Sequence, residues 1–176
     1  MRALVLDAPG SGLNELLERR RRSGLDRKDE VWEGVLHMTP APSGPHSSIE
    51  WQLARVLGPL ADRTGLHAGG EFNLGEEDYD YRIPDGGLHR EPPLVTWYQT
   101  AALVLEIVSP GDESLEKLPF YAAHNVDEVL IVDPQERSVS WLGLTDGEYR
   151  PIERSGLVDL GAQELSEKLD WPATGA

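Results

Sequence analysis

The sequence predicts an α/β fold in which one mixed β-sheet is flanked by helices, an α+β arrangement. Apolar patterns typical of helices alternate along the chain with patterns typical of strands, and this mixture favours helices packed on a sheet. The run "AALVLEIVSP" (101–110) is apolar almost throughout, as in a strand buried on both faces. The 176 residues, of which 39% are apolar, fit one domain with its own core, so we expect a single domain over 1–176.

In the first part of the chain the patterns predict helix, strand and helix. Leucines at helical spacing predict a first helix over 11–24, within a basic N-terminal segment 1–28. Residues 29–40 alternate imperfectly between apolar and polar and predict one strand. Apolar residues at intervals of three and four predict a second helix over 41–65, which Gly58-Pro59 should kink or divide.

The second part of the chain is richer in strand patterns. Two strand-like runs, 81–90 and 101–110, are separated by a proline-rich connector (91–100), and an acidic stretch (75–81) precedes the first of them. A helix containing Pro119 is expected to follow, and "DG" (146–147) predicts a hairpin turn. The predicted elements are strands over 66–74, 81–90 and 101–110, a helix over 112–125, three strands within 127–152, and a short helix within 160–171.

The charge of the chain is strongly acidic and unevenly distributed. There are 31 acidic and 16 basic residues, a net charge of −15, whereas proteins that grip DNA over a wide surface are usually basic. Residues 1–28 hold seven bases and four acids, so the remainder carries −18. The basic run has two interpretations: a surface that faces phosphates, or a solvated helix end whose arginines complement the helix dipole.

Composition also bounds the cellular setting. The chain has no cysteine, which rules out disulfides and thiolate metal sites and fits a reducing cytoplasm. The N-terminal stretch lacks the long apolar region of a signal peptide, and no segment has the length and apolarity of a membrane span. We therefore expect a cytoplasmic protein without a membrane partner.

Two carboxylates stand out because they lie in strand-like, largely apolar surroundings. Asp85 follows "YRIP", and Glu106 lies inside "LVLEIV". If the two strands pair, both side chains reach one place. Proteins usually hold Mg²⁺ with two or three oxygen ligands, and waters complete the octahedron. The alternatives are that Asp85 belongs to an ordinary turn and that Glu106 lies on a solvated face. An acid within an apolar run is costly to bury without a partner, which favours the metal site.

At these residues the sequence resembles the bacterial Uma-type restriction endonuclease family of the PD-(D/E)XK nuclease superfamily. The segments that carry the resemblance are 30–46, 81–85, 103–110 and 116–134. The resemblance implies a restriction-endonuclease-like core, a central mixed sheet with flanking helices, and DNA phosphodiester hydrolysis that depends on Mg²⁺, with Mn²⁺ as a substitute. It also implies that Asp85 and Glu106 are the metal ligands.

The sequence departs from the superfamily pattern two residues after the glutamate, where Val108 replaces the expected lysine. Residues two apart on a strand face the same side, so the site lacks its usual lysine there. The Uma-type resemblance implies that Lys117, from the following helix, substitutes for it and orients water or stabilises charge on the phosphate. The alternative is an exposed helix lysine paired with Glu113.

Five further residues are weaker candidates for the site. Tyr121 lies one helical turn after Lys117 but could belong to the core, and Glu30 and Glu33 could complete a metal shell or lie on an exposed strand. His46 could contact substrate or metal or simply lie at a helix start, and Glu50, one turn later, resembles a helix glutamate of some nucleases in the superfamily.

Three functions remain open on this reading: a metal-dependent endonuclease acting on DNA, a nuclease-like fold that serves only as a binding module, and a metal-dependent hydrolase of a small phosphoester. The missing strand lysine and the acidic charge favour the second, whereas Asp85, Glu106 and Lys117 together favour the first. Restriction-type relatives suggest a homodimer.

Overall fold

The structure, a computed structural model, describes residues 11–77, 79–92, 94–109, 111 and 113–173. Within these residues the helices are α1 (Ser11–Ser23), α2 (Gly44–Thr64), α3 (Leu118–Ala123) and α4 (Ala162–Ser166). None of the described helices is both long and apolar enough to span a membrane. The strands are β1 (Glu30–Trp32), β2 (Val35–His37), β3 (His67–Gly69), β4 (Asn73–Glu76), β5 (Asp80–Arg82), β6 (Gly86–His89), β7 (Trp97–Tyr98), β8 (Leu103–Ile107), β9 (Glu128–Asp133), β10 (Ser138–Thr145) and β11 (Glu148–Ile152).

The strands form two mixed sheets rather than one. The larger has the order β11-β10-β9-β8-β6-β3, and the smaller has the order β2-β1-β5-β4-β7. The pairs β8–β9 and β4–β7 are parallel, and the other described pairs are antiparallel. Helices pack on these sheets, which confirms the predicted class of a mixed sheet flanked by helices.

The strand predicted over 29–40 is wrong in detail, because the segment folds as a hairpin. β1 and β2 pair antiparallel, and the turn between them contains Glu33 and Gly34, both with positive φ (48° and 84°). Glycine adopts this conformation without strain, so Gly34 permits a tight reversal in what reads as continuous alternation.

Two other predicted strands, 66–74 and 81–90, are each divided between the two sheets. β3 lies in the larger sheet and β4 in the smaller; likewise β5 lies in the smaller and β6 in the larger. The break in the second case falls at Pro84 and Asp85, where proline has no N–H for a strand ladder. The chain therefore crosses between sheets at the predicted metal ligand.

Both prolines expected to disturb helices are tolerated. α2 runs without interruption from Gly44 to Thr64 with Pro59 inside it, so the predicted division is wrong. Pro59 is exposed, so water can bind the backbone carbonyl one turn earlier that lacks an N–H donor from proline. Pro119 lies in the first turn of α3, where a missing N–H costs nothing, and a 3₁₀ turn (Ser114–Lys117) precedes it.

The buried strand β8 determines what surrounds the site. Leu103, Leu105 and Ile107 point to one face of the sheet, into the core that α2 covers. Val104 points to the opposite face, into the cluster that contains Phe120 and Tyr121 of α3. Since side chains alternate along a strand, Glu106 shares the face of Val104 and is directed toward α3.

Candidate active site

The pairing of β6 with β8 brings Asp85 next to Glu106. Gly86 lies opposite Leu105 in this antiparallel pair, so the residue before β6 reaches the carboxyl end of β8. The backbone N–H of Ile107 donates to Asp85 Oδ2 over 2.7 Å, which fixes the aspartate beside the strand. The predicted pairing of these two strands is therefore observed.

Lys117 completes this arrangement. Its ammonium nitrogen lies 3.1 Å from Glu106 Oε1, 3.3 Å from Glu106 Oε2 and 3.0 Å from Glu30 Oε1. The Lys117 side chain is only 13% exposed. The alternative of an exposed lysine paired with Glu113 is wrong: Glu113 instead lies 3.1 Å from His37 Nδ1.

Glu106 has two further hydrogen-bond donors from the same side. The hydroxyl of Tyr121, one turn of helix beyond Lys117, donates to Glu106 Oε1. The hydroxyl of Ser114 lies 3.5 Å from Oε2. Glu106 is 2% exposed, so these partners replace water around a buried carboxylate.

Glu30 enters the site from the smaller sheet. It begins β1, which pairs with β5, and its Oε1 accepts the backbone N–H of Ile83 over 2.7 Å. Its other oxygen accepts the indole N–H of Trp32 over 2.7 Å. These two bonds hold Glu30 against Lys117 and couple the small sheet to the site.

Glu33 lies elsewhere, exposed in the β1–β2 turn with its N–H bonded to Asp80 Oδ1, so the structure does not bring it to this cluster.

His46 lies in the first turn of α2 and contacts Asp85. The side chain of Ser43 caps the helix by accepting the backbone N–H of His46, and the ring Nε2 lies 3.2 Å from Asp85 Oδ1. Burial alone would lower the pKa of His46, but the hydrogen bond to Asp85 and its negative charge outweigh burial and raise this pKa. His46 thus positions Asp85 from the side opposite Ile107.

Glu50, one turn after His46, lies at a second cleft of about 180 Å³ on the other side of Asp85. Glycines at 69, 70, 86 and 87 and leucines of β6 and β8 form much of its wall. Burial raises the pKa of Glu50, and the negative charges of Glu71 and Asp85 add to the effect. Glu50 is therefore a neighbour of Asp85.

We call the cleft whose wall contains Glu30, Asp85, Glu106, Lys117 and His46 the acidic cleft; its volume is about 130 Å³. Its wall also includes residues that the sequence analysis did not propose for the site: Trp32, His37, Glu113, Lys28 and Glu71. The rings of Trp32 and His37 stack with centroids 3.9 Å apart, and Lys28 forms an ion pair with Glu71. A Trp beside Glu30 in "EVWEGVLH" was the available sequence signal, but only the hairpin turn brings Trp32 and His37 together.

The electrostatics of the cluster follow from burial and from the number of acids. Burial raises the pKa of Glu106, and the positive charge of Lys117 opposes this shift. Burial would lower the pKa of Lys117, but the charges of Glu106 and Glu30 raise it, so the ammonium form is retained. Burial raises the pKa of Tyr121, and the charge of Glu106 adds to this, so its hydroxyl remains a donor.

The donor chemistry fits a hard divalent cation. Glu30 and Glu106 contact the ammonium group of Lys117, and the charge of Asp85 also acts on it, so an added cation would offset the excess negative charge of the three carboxylates. Among the described residues no three His, Asp or Glu side chains converge as a ready-made cage. Asp85 and Glu106 are the residues that would hold an ion which uses one or two protein carboxylates and keeps several waters, as Mg²⁺ does.

The overall fold, as distinct from the site, is similar to that of a solved structure. A crystal structure from Anabaena variabilis ATCC 29413, described as a "putative nuclease belonging to DUF820", superposes with a TM-score of 0.65 at 18% identity, covering 80% of this chain and 90% of that one. A cryoEM structure of a DrdV–DNA complex matches with a TM-score of 0.40 at 19% identity, over 62% of this chain and 10% of the other. No curated protein matches the sequence. The model of the Uma2 family, described as "Putative restriction endonuclease", matches residues 14–171, and the chain belongs to that family.

Proposed function

We propose that the protein is a Mg²⁺-dependent endonuclease that hydrolyses phosphodiester bonds of DNA. The observation that carries this proposal is the position of Lys117, held between Glu30 and Glu106, while Asp85 is bound to the backbone of Ile107, the residue after Glu106. Membership of a family described as restriction endonucleases supports the same chemistry.

Asp85 and Glu106 are the residues that would hold the metal, with waters completing its shell. Mg²⁺ would supply positive charge that polarises a phosphoryl oxygen and lowers the pKa of a bound water. Asp85 is prepared for this role because Ile107 N–H and His46 fix its two oxygens in place.

Lys117 would act on the phosphate as a fixed cation. Its ammonium group can donate a hydrogen bond to the attacking water or to a phosphate oxygen on which negative charge develops. In the hydrolysis the water oxygen bonds to phosphorus and the bond from phosphorus to one ester oxygen breaks. The water proton passes to solvent or to a carboxylate, and the departing ester oxygen takes a proton from solvent to leave as an alcohol. Lys117 cannot accept that proton while it is an ammonium group.

Glu30, Tyr121 and Ser114 would act through these residues as positioning groups. Glu30, on the small sheet, forms an ion pair with Lys117, whereas Tyr121 and Ser114 donate hydrogen bonds to Glu106. Their buried, directional contacts keep the ammonium group and the carboxylate in one arrangement before substrate arrives.

A plasmid-nicking assay tests the proposal. The parent protein is incubated with supercoiled DNA in Mg²⁺, in Mn²⁺ and in EDTA, and Glu106→Gln is run in parallel. We expect nicked and linear DNA with either ion, none in EDTA, and loss of activity in the variant.

Two other outcomes distinguish the remaining functions. Hydrolysis of bis(p-nitrophenyl) phosphate with intact plasmid would indicate a small-phosphoester hydrolase. Failure to bind Mg²⁺ or Mn²⁺, with neither substrate cleaved, would indicate a nuclease-like scaffold that serves as a binding module.

A further inference from the structure

The acidic cleft repels the substrate proposed for it. Among the described residues of its wall are five carboxylates, Glu30, Glu71, Asp85, Glu106 and Glu113, but two ammonium groups, Lys28 and Lys117. Both lysines are already paired, Lys28 with Glu71 and Lys117 with Glu30 and Glu106. A bound Mg²⁺ could neutralise the reacting phosphate, but the neighbouring phosphates of a DNA strand need cations outside the cleft.

Such cations lie on the helix that precedes the cleft. Arg19, Arg21 and Arg22 of α1 and Arg27 of the following 3₁₀ turn have exposed side chains. The contact of Arg22 with Glu18, at 3.9 Å and with both side chains largely exposed, is a weak ion pair. We call the other three residues, Arg19, Arg21 and Arg27, the arginine surface; Arg22 lies about 200° around the helix from Arg20.

The helix is attached to the wall of the cleft by the one arginine of this run that is not exposed. The guanidinium of Arg20 forms an ion pair with Asp29 and donates to the carbonyl of Thr39 over 3.0 Å. Asp29 also accepts the backbone N–H of Thr39 over 3.0 Å. Thr39 lines the acidic cleft, and Asp29 lies between two residues that also line it, Lys28 and Glu30.

This attachment determines which way the arginine surface faces. Residues of a helix advance by about 100° each, so Arg19 and Arg21 project to either side of Arg20, flanking its contact with the cleft wall. Arg27 lies next to Lys28, a residue of that wall. Arg20 thus ties the segment that carries these arginines to Asp29 and Thr39, next to residues of the cleft wall.

We propose that the arginine surface binds the phosphates of the DNA strand that flank the scissile bond. This inference rests on the proposed nuclease function and deepens it by naming the surface that holds the substrate. The other described cations are paired or scattered. Arg82, Arg90, Arg154 and Lys168 contact acids, and Arg137 donates to the carbonyl of Pro172. Arg55 and Arg63 are exposed on α2, and Arg150 is exposed on β11.

The salt dependence of binding tests this surface. Fluorescence anisotropy with a labelled 20-bp duplex in Ca²⁺, at several NaCl concentrations, would compare the parent with the triple variant Arg19→Gln/Arg21→Gln/Arg27→Gln. Each phosphate contact contributes about 0.9 to the slope of log K against log salt concentration, so we expect the slope to fall by about 2 to 3 and the affinity by about tenfold or more in low salt.

Two further variants isolate the cause. Arg55→Gln/Arg63→Gln/Arg150→Gln removes the same net charge from exposed positions elsewhere and should change the slope by less than about 1. Arg19→Lys/Arg21→Lys/Arg27→Lys keeps the positive charge and should keep the slope. Circular dichroism of every variant should match that of the parent.

The outcomes separate the two levels of the proposal. If the parent nicks plasmid and the two glutamine triples have equal slopes, the arginine surface is not the binding surface, and the nuclease function stands. If the parent neither binds nor nicks DNA, the nuclease function is wrong and this inference falls with it.

Discussion

Lys117 Nζ lies 3.1 Å from Glu106 Oε1, although eleven residues separate the two in the chain. The position two residues after Glu106 is Val108, which packs against the apolar cluster of Phe120 and Tyr121. A lysine brought in by the turn after β8 therefore reaches the carboxylate that a strand lysine would otherwise serve. On this basis we propose that Lys117 takes the role of the lysine that Val108 replaces.

Replacing Lys117 by Met should remove nicking activity while keeping much of the side-chain volume. We expect a decrease of about 10²–10³ in rate, the usual effect of losing a donor that stabilises transition-state charge. The free energy of unfolding should also fall, by less than the about 3–5 kcal/mol typical of a broken buried ion pair, because Glu106 can take up a proton. The exposed Lys168, changed to Met, is the control. Parental nicking by Lys117→Met would make Lys117 a structural residue.

Asp85→Asn and Glu106→Gln should abolish the binding of Mg²⁺ and Mn²⁺ measured by isothermal titration. Both changes keep the shape of the side chain, and the amide introduced by Asp85→Asn retains an oxygen that can accept the N–H of Ile107. Thermal stability should be unchanged or raised, since each change removes one of several acids that repel each other in the cleft.

The matched control for these two variants is Glu128→Gln. Glu128 is also buried, but it accepts hydrogen bonds from Ser155 and Gly156 and is not among the residues of the cleft wall. It should lose stability and keep its metal-binding heat. If Asp85→Asn bound Mg²⁺ as the parent does, the assignment of the metal ligands would be wrong.

The proximity of Asp85 and Glu106 could be predicted from the sequence patterns of two neighbouring strands. An acid inside "LVLEIV" has to be satisfied by something, and adjacent strands joined by a ten-residue connector tend to pair. In the structure β6 pairs with β8, and Lys117, Tyr121 and Ser114 are the hydrogen-bond partners of Glu106.

The other members of the site depend on contacts between distant segments. Glu30 and Glu33 look alike in "EVWEGV", and only the turn at Glu33–Gly34 and the pairing of β1 with β5 separate the buried acid from the exposed one. Glu113 could pair with Lys117 by helical spacing, but residues 114–117 form a 3₁₀ turn and Glu113 meets His37. Such choices are set by tertiary packing, which one-dimensional patterns do not record.

Tyr121→Phe should lower kcat by about tenfold with little change in KM. The hydroxyl donates to Glu106 and, in the proposed mechanism, does not touch DNA, so its loss affects the orientation of the carboxylate rather than substrate binding. Stability should change by no more than about 1–2 kcal/mol, the value of one buried hydrogen bond. Tyr149→Phe removes a similar hydroxyl, bonded to the carbonyl of Val126 over 2.7 Å, and should leave kcat unchanged. Equal effects of the two variants on kcat would exclude a positioning role for Tyr121.

His89 should make the stability of the fold depend on pH. The ring is buried between Phe72, 4.6 Å away edge-on, and Tyr98, stacked at 4.3 Å, and His67 lies opposite it on β3. Burial lowers the pKa of His89 below its ordinary value of 6.5, and the charge of His67 adds to this. In the folded protein His89 therefore stays neutral at a pH where the unfolded chain already binds a proton.

The sign of the effect follows from this difference in proton binding. As the pH falls below about 6.5, the unfolded state gains protons first, so the contribution of neutral His89 to stability is lost progressively down to its lowered folded pKa. His89→Gln should be less stable than the parent at pH 8, by about 1–3 kcal/mol, because it loses the aromatic packing. Between pH 7 and pH 5 the difference between the two proteins should shrink, since only the parent loses this contribution. Urea denaturation at each pH measures it, and a difference that stays constant would show that His89 is not the group responsible.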